Sequence, residues 1–347
     1  MIRNLKFDDS SITIAVVGCG GFVGCHLLKA ILERTKWRVF GVDLESYKIQ
    51  ELLNNPRIEF MCADLGSPEV VERLSRYPLV VNLAAICIPS RYMNEAPAVI
   101  RCNYNHPAAL ADACAQSGSW LVHFSTSEVY GKTPSDSGAL FEDETDLCFG
   151  PVTASRWSYA TAKLLTERYM MGLKNLQWTI VRPFNFVGPF MDFMPGVDGE
   201  GIPRVLANFS TAFVRNEPLK LVNGGRAKRS FTSVHDAIDF LFCLFASNNG
   251  LGQIFNVGNP DNELSIRELA QIMRSLFAEI KGVDLSQIPE PVEVGGTEYY
   301  GDGYEDSLRR LPSIEKAERL LGFRAATPLK VVLRESLEWF LNYYVEF

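Results

Sequence analysis

The chain has 347 residues, 47% of them hydrophobic and 22% charged, which suits one large α/β unit with a smaller companion and excludes wholesale disorder. Thirty-four basic against 41 acidic residues leave a net charge of −7, so no basic field for nucleic acid covers the surface, although a local basic pocket for a small anion stays open. No apolar run approaches the roughly 20 residues that span a bilayer, and the polar start MIRNLKFDDSS carries no signal-peptide core; the expectation is a soluble, cytoplasmic chain with no membrane partner.

Residues 12–17 form a β-branched apolar run that reads as a buried strand, and 24–34 (GCHLLKAILER) carry helical spacing. Strands follow over 37–42, 57–62, 79–83 and 120–124, with helices over 67–76 and 107–116 between them. Ser67 and Pro68 occupy positions that favour a helix start. Strands without polar alternation, separated by helices, predict a parallel sheet covered on both faces, the doubly wound α/β (Rossmann) pattern. Beyond residue 183 the texture changes. Residues 190–203 (FMDFMPGVDGEGIP) and 286–304 are rich in turn formers and read as long loops over a site. Helices are predicted over 204–216, 265–280, 313–321 and 328–344, and 253–257 as a strand returning to the sheet. The division that follows is a Rossmann domain of residues 1–182, rejoined by 230–258, and a smaller C-terminal α/β substrate domain of 183–229 and 259–347.

The eight cysteines (Cys19, Cys25, Cys62, Cys87, Cys102, Cys114, Cys148 and Cys243) are scattered with no CxxC pair, which argues against a disulfide framework. His26, His106, His123 and His235 show no ligand spacing with them, so no metal site is predicted. Most of the cysteines read as small buried hydrophobes.

After the first strand comes Gly18-Cys19-Gly20-Gly21-Phe22-Val23-Gly24, opening into a helix. Glycines there permit a tight turn and let backbone N–H groups approach a pyrophosphate at the helix N-terminus. Asp43 ends the next strand, where a carboxylate bonds a ribose 2′-hydroxyl and repels a 2′-phosphate. No arginine follows it, so NAD is favoured over NADP. Asp64 and Leu65 (in MCADL), ending the third strand, and Ala84, after the fourth, complete the candidate cofactor set.

Tyr159 and Lys163, in WSYATAKLL, are four apart and share one helical face. A tyrosine with a pKa of roughly 10 is a poor base at neutral pH, and a neighbouring ammonium would lower that value. The strand 120–124 runs into Ser125-Thr126-Ser127-Glu128-Val129-Tyr130-Gly131, whose hydroxyls and carboxylate point into the crevice at the C-terminal ends of a parallel sheet.

With the glycine turn, the stretch Asn82-Leu83-Ala84-Ala85 and the Tyr/Lys pair, the chain resembles the extended short-chain dehydrogenase/reductases that modify nucleotide sugars. The resemblance runs from about residue 12 to the end. It implies Thr126, Tyr159 and Lys163 as a catalytic triad, and a homodimer through the helix bearing Tyr159 and its neighbour. Ser127-Glu128 and the tail Tyr304-Glu-Asp-Ser-Leu-Arg-Arg310 resemble two branches: the UDP-glucuronate decarboxylases of the 4-amino-arabinose lipid A pathway and the plant UDP-apiose/UDP-xylose synthases. NLAAICIP, RPFNFVGPFMDFMPGVDG, GIPRVLANFS (with Arg204) and IFNVGNPDNE look closest to the second. The match implies that Asn185, Lys220 and Arg229 hold the nucleotide diphosphate. It also implies that Tyr92, Arg204 and Tyr304, with Thr126 and Ser127, line the sugar site and that Arg310 faces the substrate carboxylate.

The reaction so implied is NAD-dependent oxidation of UDP-glucuronate at C4, then decarboxylation to a UDP-pentose, with Glu128 and Arg310 working beside C5. The apiose branch carries a cysteine immediately before the glutamate, where this chain has Ser127, while Cys87 in the AAIC stretch is shared with it. A six-membered product, UDP-4-ketopentose or UDP-xylose, is therefore expected over the ring-contracted UDP-apiose. The alternative readings are a nucleotide-sugar 4-epimerase or 4,6-dehydratase and, more remotely, a non-catalytic dinucleotide sensor.

Overall fold

Seven short apolar runs pair into one wholly parallel sheet: β1 (Thr13–Val17), β2 (Arg38–Asp43), β3 (Ile58–Cys62), β4 (Leu79–Asn82), β5 (Trp120–Phe124), β6 (Gln177–Pro183) and β7 (Gln253–Val257). The structure, a computed structural model, describes residues 5–302 and 304–344; the first four residues of the polar N-terminus, residue 303 and the last three lie outside the described residues. The strand order is β7-β6-β5-β4-β1-β2-β3, so chain direction across the sheet reverses between β1 and β4. In such a sheet, ligands bind beyond the carboxyl ends of the strands at this switch point.

Alternation along each strand covers both faces. Ile14 and Val16 of β1 enter one apolar cluster while Ala15 and Val17 enter the other, and Leu79 and Val81 of β4 lie opposite Val80. Helices Phe22–Arg34 and Val234–Phe245 pack on the first face, and Pro68–Leu74 and His106–Ser117 on the second. The expected doubly wound α/β architecture is the one observed.

Element boundaries from the sequence agree to within a few residues, with informative gaps. Pro68 is the first helical residue as expected, but Ser67 makes no capping bond and its hydroxyl turns to Glu69 at 2.6 Å. The helix expected over 107–116 is the last part of a longer run that begins at Ala96–Ile100 and passes through a π-helical turn, Arg101–Asn105. Strand β6 and helix Val234–Phe245 are additions to the sequence reading, as is a short strand, Val292–Val294, inside the 286–304 stretch. The expectation of mostly buried cysteines is corrected: Cys19, Cys25 and Cys114 are buried, Cys62 and Cys148 are exposed and the other three are intermediate. Cys62 ends β3, the edge strand, where one side of the sheet has no neighbour to cover it.

Smaller sheets carry the second half. Lys220–Val222 pairs with Val292–Val294, and Lys228–Ser230 sits between Glu263–Ser265 and Arg309–Arg310. The second of these joins Arg229 and Arg310 as direct partners in register. No helix among the described residues is long and apolar enough to cross a membrane.

Candidate active site

The glycine turn is packed too tightly for side chains. Gly18 has φ +79°, and a Cβ on it would lie 2.7 Å from the Ala84 nitrogen; one on Gly24 would lie 2.2 Å from the Gly18 oxygen. Gly21 stands before helix Phe22–Arg34 with no side-chain cap, which leaves the N–H groups of the first turn free for an anion. Asp43, at the end of β2, accepts the Gly20 N–H at 2.8 Å and the Leu44 N–H at 2.7 Å, bringing its carboxylate against the turn. These features fit an NAD pyrophosphate and ribose. Asp64 is exposed after β3, where it accepts the Gly66 N–H at 2.8 Å, and Leu65 is buried. Both belong to the strand end beside Asp43, as an adenine contact requires.

One cavity of about 540 Å³ runs from Phe22 and Val23 at this turn to Lys220 and Tyr304 in the second half. It brings together Cys87, Tyr92, Thr126, Ser127, Glu128, Tyr159, Lys163, Asn185, Arg204, Arg229 and Arg310 as well. Tyr159 and Lys163 project from helix Ser158–Gly172, and both are buried. Tyr92 stacks on Tyr159 with ring centroids 4.7 Å apart and planes 5° from parallel, which fixes the phenol plane. Lys163 Nζ donates to the Phe124 carbonyl at 2.8 Å, and burial pulls its pKa down to about 8. Thr126 Oγ1 accepts the Glu128 N–H at 3.1 Å, leaving the hydroxyl proton free to donate to the Tyr159 oxygen. Burial pushes the Tyr159 phenol well above its ordinary value, reinforced by Cys87 and Glu128 and opposed by the Thr126 hydroxyl and the Arg204 guanidinium.

Beside Tyr159 lies a charge cluster. Glu128 Oε2 accepts from Arg156 Nη1 at 2.6 Å, and its Oε1 is 3.7 Å from Arg310 Nη1. Asp306 accepts from Arg229 Nη2 at 2.6 Å and lies 3.9 Å from Arg310 Nη2. Burial alone would raise the Glu128 and Asp306 pKa values, but the guanidiniums outweigh it and hold both below the ordinary range. Burial, aided by the neighbouring Arg229 charge, pulls Arg310 down to about 10, which still leaves it charged at neutral pH. Its Nε is buried without a hydrogen-bond partner among the described residues. A cation held this way is poised for an incoming carboxylate.

Glu305 holds the segment that supplies Tyr304, Asp306 and Arg310. Its carboxylate takes Lys132 Nζ at 2.6 Å and Trp157 Nε1 at 2.7 Å, tying the tail to the turn after Glu128 and to the start of the tyrosine helix. Tyr304 stacks on Tyr300 at 4.5 Å, and Lys220 Nζ lies 5.6 Å from the centre of the Tyr299 ring. Asn185, at φ 40°, donates to the Ser230 carbonyl at 3.2 Å. Two candidates are less free than the sequence implies. Arg229 is committed to Asp306, and Arg204 to Asp192 through Nε at 2.9 Å.

Sequence reading missed Arg156, Asp306, Glu305 and Arg226, the last also lining the cavity. The signal for Arg156 was present, because it stands three residues before Tyr159 and so on the same side of the turn. For Asp306 and Glu305 only the neighbourhood of Arg310 was legible.

The chain is similar to known proteins along nearly its whole length. The chain is 40% identical to the UDP-D-apiose/UDP-D-xylose synthase of Oryza sativa subsp. japonica, over 96% of this chain and 90% of that protein. It is 39% identical to UDP-D-apiose/UDP-D-xylose synthase 1 of Arabidopsis thaliana, over 96% and 92%. The crystal structure of the PbgP3 protein from Burkholderia pseudomallei superposes with a TM-score of 0.84 at 32% identity, covering 96% of this chain and 98% of that one. The family model described as NAD dependent epimerase/dehydratase matches residues 14–258. With its glycine cradle, Tyr159/Lys163 pair and switch-point cavity, the chain belongs to that family, the extended short-chain dehydrogenase/reductases that use NAD.

Proposed function

We propose that the protein oxidises UDP-glucuronate at C4 and decarboxylates it to a UDP-pentose. The observation that carries this is the charge count beside Tyr159. Arg156, Arg229 and Arg310 supply three positive charges against the two negative charges of Glu128 and Asp306. The cluster is one negative charge short, and a uronate carboxylate is the group that balances it. A UDP-hexose brings only its diphosphate, which goes to Asn185 and Lys220, and no anion for the cluster at the sugar end. The relatedness to UDP-apiose/UDP-xylose synthases supports the same substrate.

The residues divide the work as follows. Tyr159, assisted by the Thr126 hydroxyl, takes the proton of the sugar 4-hydroxyl. Bound NAD supplies the acceptor for the C4 hydride. The 4-ketone is then β to the C6 carboxylate, so the electrons of the breaking C5–C6 bond move toward the ketone oxygen as carbon dioxide leaves. Arg310 orients that carboxylate, and Glu128 takes part in the proton transfers at C5. Return of the hydride to C4, with a proton from Tyr159, gives UDP-xylose and makes the net reaction that of a lyase with an internal redox step; without that return the 4-ketopentose is released and the cofactor stays reduced. Asn185 and Lys220 hold the diphosphate, and Arg229, committed to Asp306, belongs to the charge cluster instead. Ser127 stands next to Glu128 in place of a thiol, whose pKa of about 8.5 would serve ring contraction better, so a six-membered pentose is the product we assign. We assign residues 1–182 and 230–258 to the cofactor half and 183–229 and 259–347 to the sugar half. Exposed Ile100, Leu165 and Met171, on the tyrosine helix and its neighbour, support a homodimer through that face.

Supplying purified protein and NAD with UDP-glucuronate or UDP-glucose tests the reading. Consumption of the acid alone is expected, and equal turnover of the neutral sugar would make the protein an epimerase or dehydratase of another substrate.

A further inference from the structure

The loop 190–203 over the sugar site carries two left-handed residues that are not glycine, Phe190 at φ 65° and Asp192 at φ 57°. A bulky residue in that region is a true outlier, and such strain persists only where the surroundings over-determine it. Here the surroundings come from the cofactor half. Lys48, in the turn Tyr47–Ile49 that follows Asp43, donates from Nζ to the Phe190 carbonyl at 2.7 Å and to the Asp192 carbonyl at 3.2 Å. One ammonium therefore holds the carbonyls of both left-handed residues. His26, from helix Phe22–Arg34, meets the Pro189 carbonyl at 2.9 Å. Burial pulls His26 down to about 4, so the ring is neutral and Nε2 carries the donated proton.

The loop passes this constraint on. The Asp192 carboxylate accepts the Arg204 backbone N–H at 2.7 Å and Nε at 2.9 Å, and takes Nη2 as well. Arg204 heads helix Val205–Val214 and lines the cavity with Cys87, Tyr92 and Tyr159.

We propose that Lys48 is a positioning residue for the sugar site: from beside the cofactor turn it sets the strained loop, through it Asp192, and through Asp192 the place of the Arg204 cation before Tyr159. The proposal rests on reading Tyr159 as the base. The titratable and charged groups that face Tyr159 are Cys87, Tyr92, Glu128, Lys163 and Arg204, and the Arg204 charge is among the influences that favour its phenolate. Losing Lys48 leaves two carbonyls without their donor and lets the loop relax, which withdraws Arg204.

The test is the pH profile of kcat/KM for UDP-glucuronate in the parent, Lys48→Met, Arg204→Met and the double variant. Lys48→Met is expected to raise KM several-fold at unchanged NAD affinity and to move the rising limb, on which Tyr159 loses its proton, to higher pH. Arg204→Met moves the limb in the same direction, and the double variant moves it no further. A Lys48→Met limb at the parent pH, or shifts that add in the double variant, would overturn the proposal. If Lys48→Met does not fold, Lys48→Gln, which keeps a donor for one carbonyl, is expected to shift the limb less and in the same direction; no shift overturns the proposal. A parent inactive on UDP-glucuronate contradicts the functional reading alone. Hydrogen exchange over 189–204 then decides: faster exchange in Lys48→Gln upholds the strap, and unchanged exchange overturns it.

Discussion

Tyr159 is buried under Tyr92, and burial raises its phenol, so its use as a base depends on the groups around it. Replacing the hydroxyl by hydrogen in Tyr159→Phe is expected to cut turnover by about 10²–10⁴-fold, the usual worth of a positioned acid–base group. NAD should stay bound in that variant, since the glycine turn is untouched; single-turnover NADH formation and NAD titration check the two halves of the statement. Arg310 makes a different prediction. Its guanidinium faces Glu128 at 3.7 Å and has a buried Nε without a partner among the described residues, so Arg310→Ala is expected to weaken UDP-glucuronate binding much more than UDP-xylose binding. Titration calorimetry with both nucleotides checks it, and equal losses would reduce Arg310 to a structural role. Tyr159, Lys163, Glu128 and Arg310 were each legible in the sequence because their neighbours in the chain form short motifs. Asp306 was not, because its meaning lies in an ion pair between segments far apart in sequence, and Arg156 offered only its spacing from Tyr159, since its pair with Glu128 forms in the fold.

The helix Ser158–Gly172 is held to β6 by a buried ion pair, with Glu167 taking Arg182 Nε at 3.0 Å and Nη2 at 2.6 Å. Arg182 Nη1 also meets the Tyr130 hydroxyl at 2.9 Å, so the tyrosine helix and the turn bearing Tyr130 meet on one guanidinium, and Tyr130 in turn donates to Asn256 of β7 at 2.8 Å. Arg182→Met leaves Glu167 buried without its partner and is expected to destabilise the protein by roughly 3–5 kcal/mol. Urea unfolding followed by circular dichroism measures it; a loss well below that range would mean that water reaches Glu167. At this scale the sequence served well for the first half, where strands are continuous apolar runs. It served poorly for β6, whose QWTIVRP carries a polar arginine explained only by its buried partners Glu167 and Tyr130, and for helices Pro89–Asn94 and Ala96–Ile100, whose 6 and 5 residues are too few to show a helical period.

Buried carboxylates held by guanidiniums shape the molecule's response to acid. Glu128, Asp192 and Asp306 have folded-state pKa values below the ordinary carboxylate range: burial raises each, and the surrounding groups together more than reverse it, Arg156 and Arg310 at Glu128, Arg204 and Lys48 at Asp192, and Arg229, Arg310, Arg156 and the Ser307 N–H at Asp306. Stability from such groups is complete above the unfolded carboxylate values and is lost as pH falls through the folded ones. The thermal midpoint is therefore expected to begin falling below about pH 6.5, where histidines protonate in the unfolded chain while buried His26 and His123 stay neutral, and to fall more steeply below about pH 4 as the carboxylates add their loss, which calorimetry across a pH series would record. A midpoint that stays flat down to about pH 4 would mean that the folded protein accepts protons at His26 and His123 as readily as the unfolded chain. The central claim, that the charge-deficient cluster beside Tyr159 receives a uronate, is tested most directly by NMR of UDP-glucuronate labelled at C6 and incubated with the protein and NAD. The account predicts release of the label as carbon dioxide and a six-membered UDP-pentose or its 4-ketone as the main species. Retention of the label in a C4 epimer would contradict decarboxylation, and a branched apiose signal as the main species would contradict the product assigned from Ser127.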